Sequence, residues 1–143
     1  MDEKARIIIA DDHTIVRRLV RETIESNLDV EIVGEATNGQ ETVDLVEKLK
    51  PDILILDISM PYVNGLEVVQ QLQSSENSTM ILILTAIRDK NFTHAFLTDY
   101  TVAGFFHKDE SLGALIKAIQ SIHQGDESWL IERKEKQMQM MND

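Results

Sequence analysis

Cysteine is absent from the 143 residues; proline occurs twice, tryptophan once, and aromatic residues make up only 5%. Without a thiol the chain holds no disulfide framework, no thiolate metal site, no cysteine nucleophile and no thiol redox chemistry. Bases are scarce as well: 14 Lys and Arg stand against 25 Asp and Glu, a formal net charge of −11. Gripping duplex nucleic acid requires a basic face that neutralises phosphates, so this chain by itself is expected not to bind nucleic acid directly. Long apolar runs are missing too. The longest, such as Met80–Leu84, fall far short of the roughly 20 residues of a membrane helix. The opening MDEKAR is charged and does not read as a basic leader followed by an apolar stretch. The expectation is a cytoplasmic protein without membrane association, and the length suits one domain with a real core.

What is present is an alternation. Short apolar runs rich in β-branched residues lie at Ile7–Ala10, Glu31–Gly34, Ile53–Leu56, Met80–Leu84 and Val102–Phe106. Three of them are continuously apolar, as parallel strands covered on both faces are. Between them lie segments of helical period. One, from His13 to Asn27, puts Ile15, Leu19 and Ile24 on one stripe; the last, from Glu110 to Gln124, carries Leu112, Leu115, Ile116, Ile119 and Ile122. Asn38 and Asn64 read as N-caps, with Glu41 and Glu67 three residues on, in the manner of a capping box. Pro51 should stop the helix before it. The segment from Asp89 to Asp99 has the weakest helical signal, because Asn91, Thr93 and Thr98 are poor helix formers. Five strands alternating with five helices imply an α/β fold, a parallel sheet in a three-layer sandwich. Residues 126–143 are polar, with Trp129, Leu130 and Ile131 as their one apolar cluster, and read as a linker or C-terminal tail with some helical character.

Ligands of open parallel sheets bind beyond the carboxyl ends of the strands. Here the first strand ends in Asp11-Asp12, the third in Asp57, the fourth in Thr85 and the fifth in His107-Lys108. A single Asp after a strand is most often a turn residue or a cap; the joint placement is what suggests chemistry. In a strand order 2-1-3-4-5 the first and third strands are neighbours about 4.8 Å apart, and their carboxylates converge. Two unit charges about 4 Å apart repel by about 4 kcal/mol at an effective dielectric near 20. Either one carboxylate takes a proton or a cation sits among them. An all-oxygen site with room for water suits Mg²⁺. His13, His94, His107 and His123 lack paired ligand spacing and read as surface or packing residues.

The stretches IIIADDHTIVRR, GEATNGQETVDLV, PDILILDISMPYVNGLEVV, ILILTA and AGFFHKDES resemble, in order and spacing, the receiver domain of bacterial two-component response regulators. The resemblance covers roughly residues 5–125, assigning 1–125 to the receiver. It implies the flavodoxin-like (βα)5 doubly wound sheet, and the order 2-1-3-4-5 comes from it and not from periodicity. It makes Asp57 the phosphoacceptor for a sensor histidine kinase. It makes Asp11, Asp12, Asp57 and the backbone carbonyl of Ser59 the Mg²⁺ ligands. Lys108 would pair with the phosphoryl oxygens, Thr85 would bond to the attached phosphoryl group, and Phe105 would be the aromatic switch, moving inward together with Thr85. The domain would be a phosphoacceptor with its own self-phosphorylation and self-dephosphorylation chemistry, and not an enzyme.

DDH at 11–13 and GDESWL at 125–130 resemble the branch that joins a receiver to a LuxR-type helix-turn-helix, as in the NarL/FixJ group. That implies transcription regulation through a DNA-binding domain beyond these residues; the alternative is a stand-alone receiver acting through protein partners. Receivers of this branch pair as homodimers through the first and fifth helices or the face of the fourth and fifth. Asp109 after Lys108 departs from the Lys-Pro of many receivers and leaves that loop's geometry open. The rival from another class is a haloacid-dehalogenase-type phosphatase, whose nucleophile ends the first strand in an Asp-x-Asp arrangement, whereas Asp11 and Asp12 are adjacent.

Overall fold

A computed structural model describes residues 3–60, 65–75, 77–99 and 102–141. Strands β1 (Ala5–Ala10), β2 (Val30–Ala36), β3 (Ile53–Leu56), β4 (Met80–Thr85) and β5 (Gly104–His107) alternate with helices α1 (Thr14–Asn27), α2 (Gly39–Leu49), α3 (Gly65–Ser74), α4 (Lys90–Asp99) and α5 (Gly113–His123); α6 (Ser128–Met141) follows. The sheet is wholly parallel, in the order β2-β1-β3-β4-β5.

The period of two along the strands divides the core. Ile8, Ala10, Leu54, Leu56, Ile81, Ile83 and Phe105 meet Val43 and Val46 of α2, Val68, Val69 and Leu72 of α3, and Phe96 and Leu97 of α4. The alternate residues Ile7, Ile9, Ile53, Ile55, Leu82, Leu84 and Phe106 meet Val20 and Ile24 of α1 and Leu115, Ala118 and Ile119 of α5. Continuous apolar runs are what a sheet buried on both faces requires.

Local signals set the helix ends. Asn38 Oδ1 accepts the Glu41 N–H at 2.9 Å, while Glu41 returns its bond one residue early, accepting the Thr37 N–H at 2.8 Å. Lys50 leaves α2 in the left-handed region (φ 47°) ahead of Pro51, and the Arg6 guanidinium donates to the carbonyls of Leu49 and Lys50. Asp89 accepts the Phe92 N–H at 3.0 Å, which starts α4 despite its poor formers. The Asn64 cap expected for α3 lies outside the described residues. A Cβ on Gly65 would stand 2.1 Å from the Ile58 Cα, so the start of α3 is packed onto the chain beside Asp57.

Two expectations are corrected. On α1, Ile15 and Leu19 are exposed (84% and 56%), and the stripe facing the sheet is Val16, Val20 and Ile24. The fifth strand begins at Gly104 and α5 at Gly113, each later than periodicity suggests. Within the segment read as a linker or tail of some helical character, residues 128–141 form α6, with Leu130 buried on the α1/α5 side and Met138 packed on the other, so that α6 straddles the β5 edge. Among the described residues, no helix is long and apolar enough to cross a membrane.

Candidate functional site

Backbone pairing carried past the strand ends places the site. The Asp11 N–H donates to Ala36 O (3.0 Å), that of Asp57 to Ala10 O (2.9 Å) and that of Lys108 to Thr85 O (2.8 Å). Three side chains from three strands are thereby aimed at one spot. The Lys108 ammonium lies 2.9 Å from Asp11 Oδ2 and 3.0 Å from Asp57 Oδ2. Asp57 Oδ1 accepts the Ser59 N–H at 3.1 Å, and Asp11 Oδ1 accepts that of His13 at 2.8 Å. Asp11 and Asp57 are buried, whereas Asp12 opens to solvent.

The electrostatics follow from this enclosure. Burial pushes the Asp57 carboxyl above the usual carboxylate range, against the opposing pull of Lys108, with Asp11 adding repulsion. Burial pushes Lys108 down, but its bonds to Asp11 and Asp57 win and hold it above the usual lysine value, so it is charged at neutral pH. One ammonium against the carboxylates of Asp11, Asp12 and Asp57 leaves an excess of two negative charges, the charge of one divalent cation. The donor set fits such an ion: ligand atoms of Asp11, Asp12, His13 and Asp57 all lie within 4.8 Å of one another.

Of the other residues expected at the site, Ser59 meets Asp57 through its backbone N–H, while Thr85 and Phe105 stand apart from the carboxylate–lysine network. Thr85 is fully buried at the end of β4, and its Oγ1 accepts the Ile87 N–H at 3.3 Å without joining the carboxylate–lysine network. Ser59 is exposed next to the pocket. Phe105 is fully buried, with ring centroids 6.2 Å from Phe96 and 5.6 Å from His107. The Phe105 ring is thus turned inward, against Phe96 of α4.

Two residues escaped the sequence reading. His13 is not a bystander: its Nδ1 lies 3.1 Å from Asp11, 3.3 Å from Asp12 and 3.1 Å from the Lys108 ammonium. Its place directly after Asp11-Asp12 was the available signal. Arg88 forks onto the carboxylate of Asp109 and ties the loop before α4 to the loop after Lys108. That contact supplies the geometry which Asp109, standing where many receivers have proline, had left open, and it holds Asp109 below the usual carboxylate range.

The family model described as the response regulator receiver domain matches residues 7–120. The transcriptional regulatory protein DegU of Brevibacillus brevis is 33% identical over 125 residues, which is 87% of this chain and 52% of DegU. The DNA-binding transcriptional activator EvgA of Escherichia coli K12 is 37% identical over 118 residues, 82% of this chain and 57% of EvgA. The chain thus spans about half the length of the curated relatives it matches. Among solved structures, the signal receiver domain of NarL from Mycobacterium tuberculosis superposes with a TM-score of 0.79 at 30% identity, covering 86% of this chain and 98% of that one. RcsB from Salmonella enterica serovar Typhimurium, bound to promoter rprA in the presence of the phosphomimetic BeF3-, gives 0.79 at 28% identity over 94% of this chain and 68% of RcsB.

Proposed function

The chain belongs to the response regulator receiver domain family, and from that membership we propose that it takes a phosphoryl group onto Asp57 from a histidine kinase and relays the change to transcription regulation. The observation that carries the reading is Asp57 itself: a buried carboxylate at the end of β3, 3.0 Å from Lys108 and beside Asp11. An Asp57 carboxylate oxygen forms the O–P bond as the P–N bond of the phosphohistidine breaks, and the electron pair returns to the donor's imidazole. Lys108 balances charge on the transferring oxygens. Asp11, Asp12, Asp57 and the Ser59 carbonyl would hold Mg²⁺, which supplies further charge neutralisation when bound. Attack of water on phosphorus breaks the same O–P bond and restores the carboxylate, so the protein is a switch that resets itself and not an enzyme with a separate substrate. The nucleophile ends β3 and not β1, which sets the site apart from the phosphatase alternative.

Thr85, one strand over, is the hydroxyl that would turn from the Ile87 N–H to the phosphoryl oxygens. RcsB is described as forming dimers on DNA. For this chain, Ile15 and Leu19 give α1 an exposed apolar pair suited to a second copy, while α6 occupies the side of α4 and β5. On this reading the net charge of −11 favours regulation of transcription without DNA contact by this chain itself.

Acetyl phosphate with Mg²⁺ should add one phosphoryl group to the chain by intact mass, and Asp57→Asn should take none. Equal labelling of the variant would contradict the assignment.

A further inference from the structure

The Nδ1 atom of His13 stands between the Lys108 ammonium and the carboxylates of Asp11, Asp12 and Asp57. It lies 3.1 Å from the Lys108 ammonium, which only donates, and so must present a lone pair in that direction. It also lies 3.1 Å from Asp11 Oδ1, 3.3 Å from Asp12 Oδ1 and 3.9 Å from Asp57 Oδ2, which only accept when ionised. With the lone pair turned inward, acceptor atoms of Asp11, Asp12, His13 and Asp57 surround one small space, and the lysine ammonium serves three of these residues. All three of its protons are used, on Asp11, Asp57 and His13.

The spacing of these atoms is a little wider than that of a closed coordination shell, the full set lying within 4.8 Å. Ligands about 2.1 Å from an octahedral divalent ion stand about 3.0 Å apart when adjacent and about 4.2 Å when opposite. From His13 Nδ1 the distances to Asp11 and Asp12, 3.1 and 3.3 Å, lie near the adjacent separation, and the 3.9 Å to Asp57 lies nearer the opposite one. Once Lys108 swings to a phosphoryl oxygen, its three former acceptors face inward without a counter-charge.

We propose that His13 is a nitrogen ligand of the cation held by Asp11, Asp12 and Asp57, and that it makes this pocket prefer manganese(II) and other first-row transition ions over Mg²⁺. The inference rests on the metal-assisted phosphoacceptor reading and adds to it the donor that sets ion selectivity. Carboxylate oxygens serve Mg²⁺ and manganese(II) alike, whereas an imidazole nitrogen suits first-row transition ions, manganese(II) the weakest of that series, better than it suits Mg²⁺, a hard ion that takes oxygen ligands. The position suits exchange, because the imidazole side chain is 59% exposed and follows directly on Asp12, before the first turn of α1.

The test is metal binding by the full chain without any phosphodonor. Manganese(II) bound to the wild-type chain should show, in pulsed electron paramagnetic resonance, a nitrogen-14 coupling that changes when histidine is supplied as nitrogen-15. His13→Gln should abolish that coupling and weaken manganese(II) by about tenfold, while its Mg²⁺ affinity stays within about twofold. His94, His107 and His123 remain in the variant as internal controls. Manganese(II) bound without histidine coupling, or bound equally by His13→Gln, overturns the role of His13 and leaves the phosphoacceptor reading standing. Failure of the wild-type chain to bind either ion, or binding indifferent to Asp12→Ala, brings down both.

Discussion

The carboxyl end of the sheet and the β5 edge are built on opposite terms. At the strand ends, charge is concentrated: Asp11, Asp57 and Lys108 are fixed by backbone bonds that continue the ladders, and their side chains hold one another. Along the β5 edge, contact is spread over one amphipathic helix. Leu130 is buried, the Arg133 guanidinium lies 4.6 Å from the Phe106 ring centroid, Lys134 donates to Val102 O at 2.8 Å and Gln137 to Phe105 O at 3.0 Å. Edge strands expose unpaired carbonyls, and α6 answers them with side-chain donors where a sixth strand would use backbone. The match is imperfect. Among the described residues, Arg133 Nε and Gln137 Oε1 are buried without a partner, and such groups cost about 1–3 kcal/mol each. The pocket is therefore a fixed constellation, whereas α6 is a cover held with less to spare.

Four measurements break or sharpen that contrast. The largest effect belongs to the pocket: Lys108→Met should slow phosphoryl uptake from acetyl phosphate by about 100-fold, the loss of one positive group facing the developing charge. A rate within a few-fold of wild type would detach Lys108 from the chemistry. Next comes the edge. Leu130→Ala should lower the free energy of urea unfolding by about 2–3 kcal/mol if α6 unfolds with the domain; unchanged stability would make α6 an independent flap.

Smaller, and opposite in sign, is the effect of emptying the pocket of charge. Burial raises the Asp57 carboxyl, so the folded state holds that proton more tightly than the unfolded chain does. The stabilising contribution is present in acid and is lost as pH rises through the raised value, leaving a buried carboxylate that costs stability at neutral pH. Asp57→Asn should therefore raise the melting midpoint at pH 7, by about 2–4 °C for each kcal/mol relieved. The gain should shrink toward the ordinary carboxylate range. A lower midpoint at pH 7 would mean that the Lys108 ion pair outweighs burial. Smallest is Ile15→Ser, expected to change stability by no more than about 0.5 kcal/mol because Ile15 is 84% exposed; a loss of dimer without a loss of stability would identify α1 as the pairing surface.

The same contrast explains what could be read in advance. Strand ends are legible because a residue type at the end of an apolar run declares its own position: place marks Asp11, Asp12, Asp57 and Lys108 as candidates, the resemblance supplies the strand order that makes them converge, and the structure brings them together. His13 was passed over because metal-ligand spacing was sought among histidines, while its partners are aspartates. The α1 stripe was misassigned since Ile15 and Leu19 share the helical spacing of Val16 and Val20, and only the sheet decides which set it covers. The docking of α6 had no local signature. Its bonds join residues 28 to 32 apart, from Arg133 and Gln137 to Phe105 and from Lys134 to Val102. Phe105 likewise has a buried position that depends on Phe96 across the layer.

The central claim is that Asp57, and no neighbouring carboxylate, receives the phosphoryl group. Borohydride reduces an aspartyl phosphate to homoserine, so reduction of the chain after acetyl phosphate treatment, followed by peptide mass spectrometry, locates the acceptor. Homoserine at position 57 alone is the predicted result; homoserine at position 11 or 12, or none in a chain whose intact mass has gained a phosphoryl group, would contradict it.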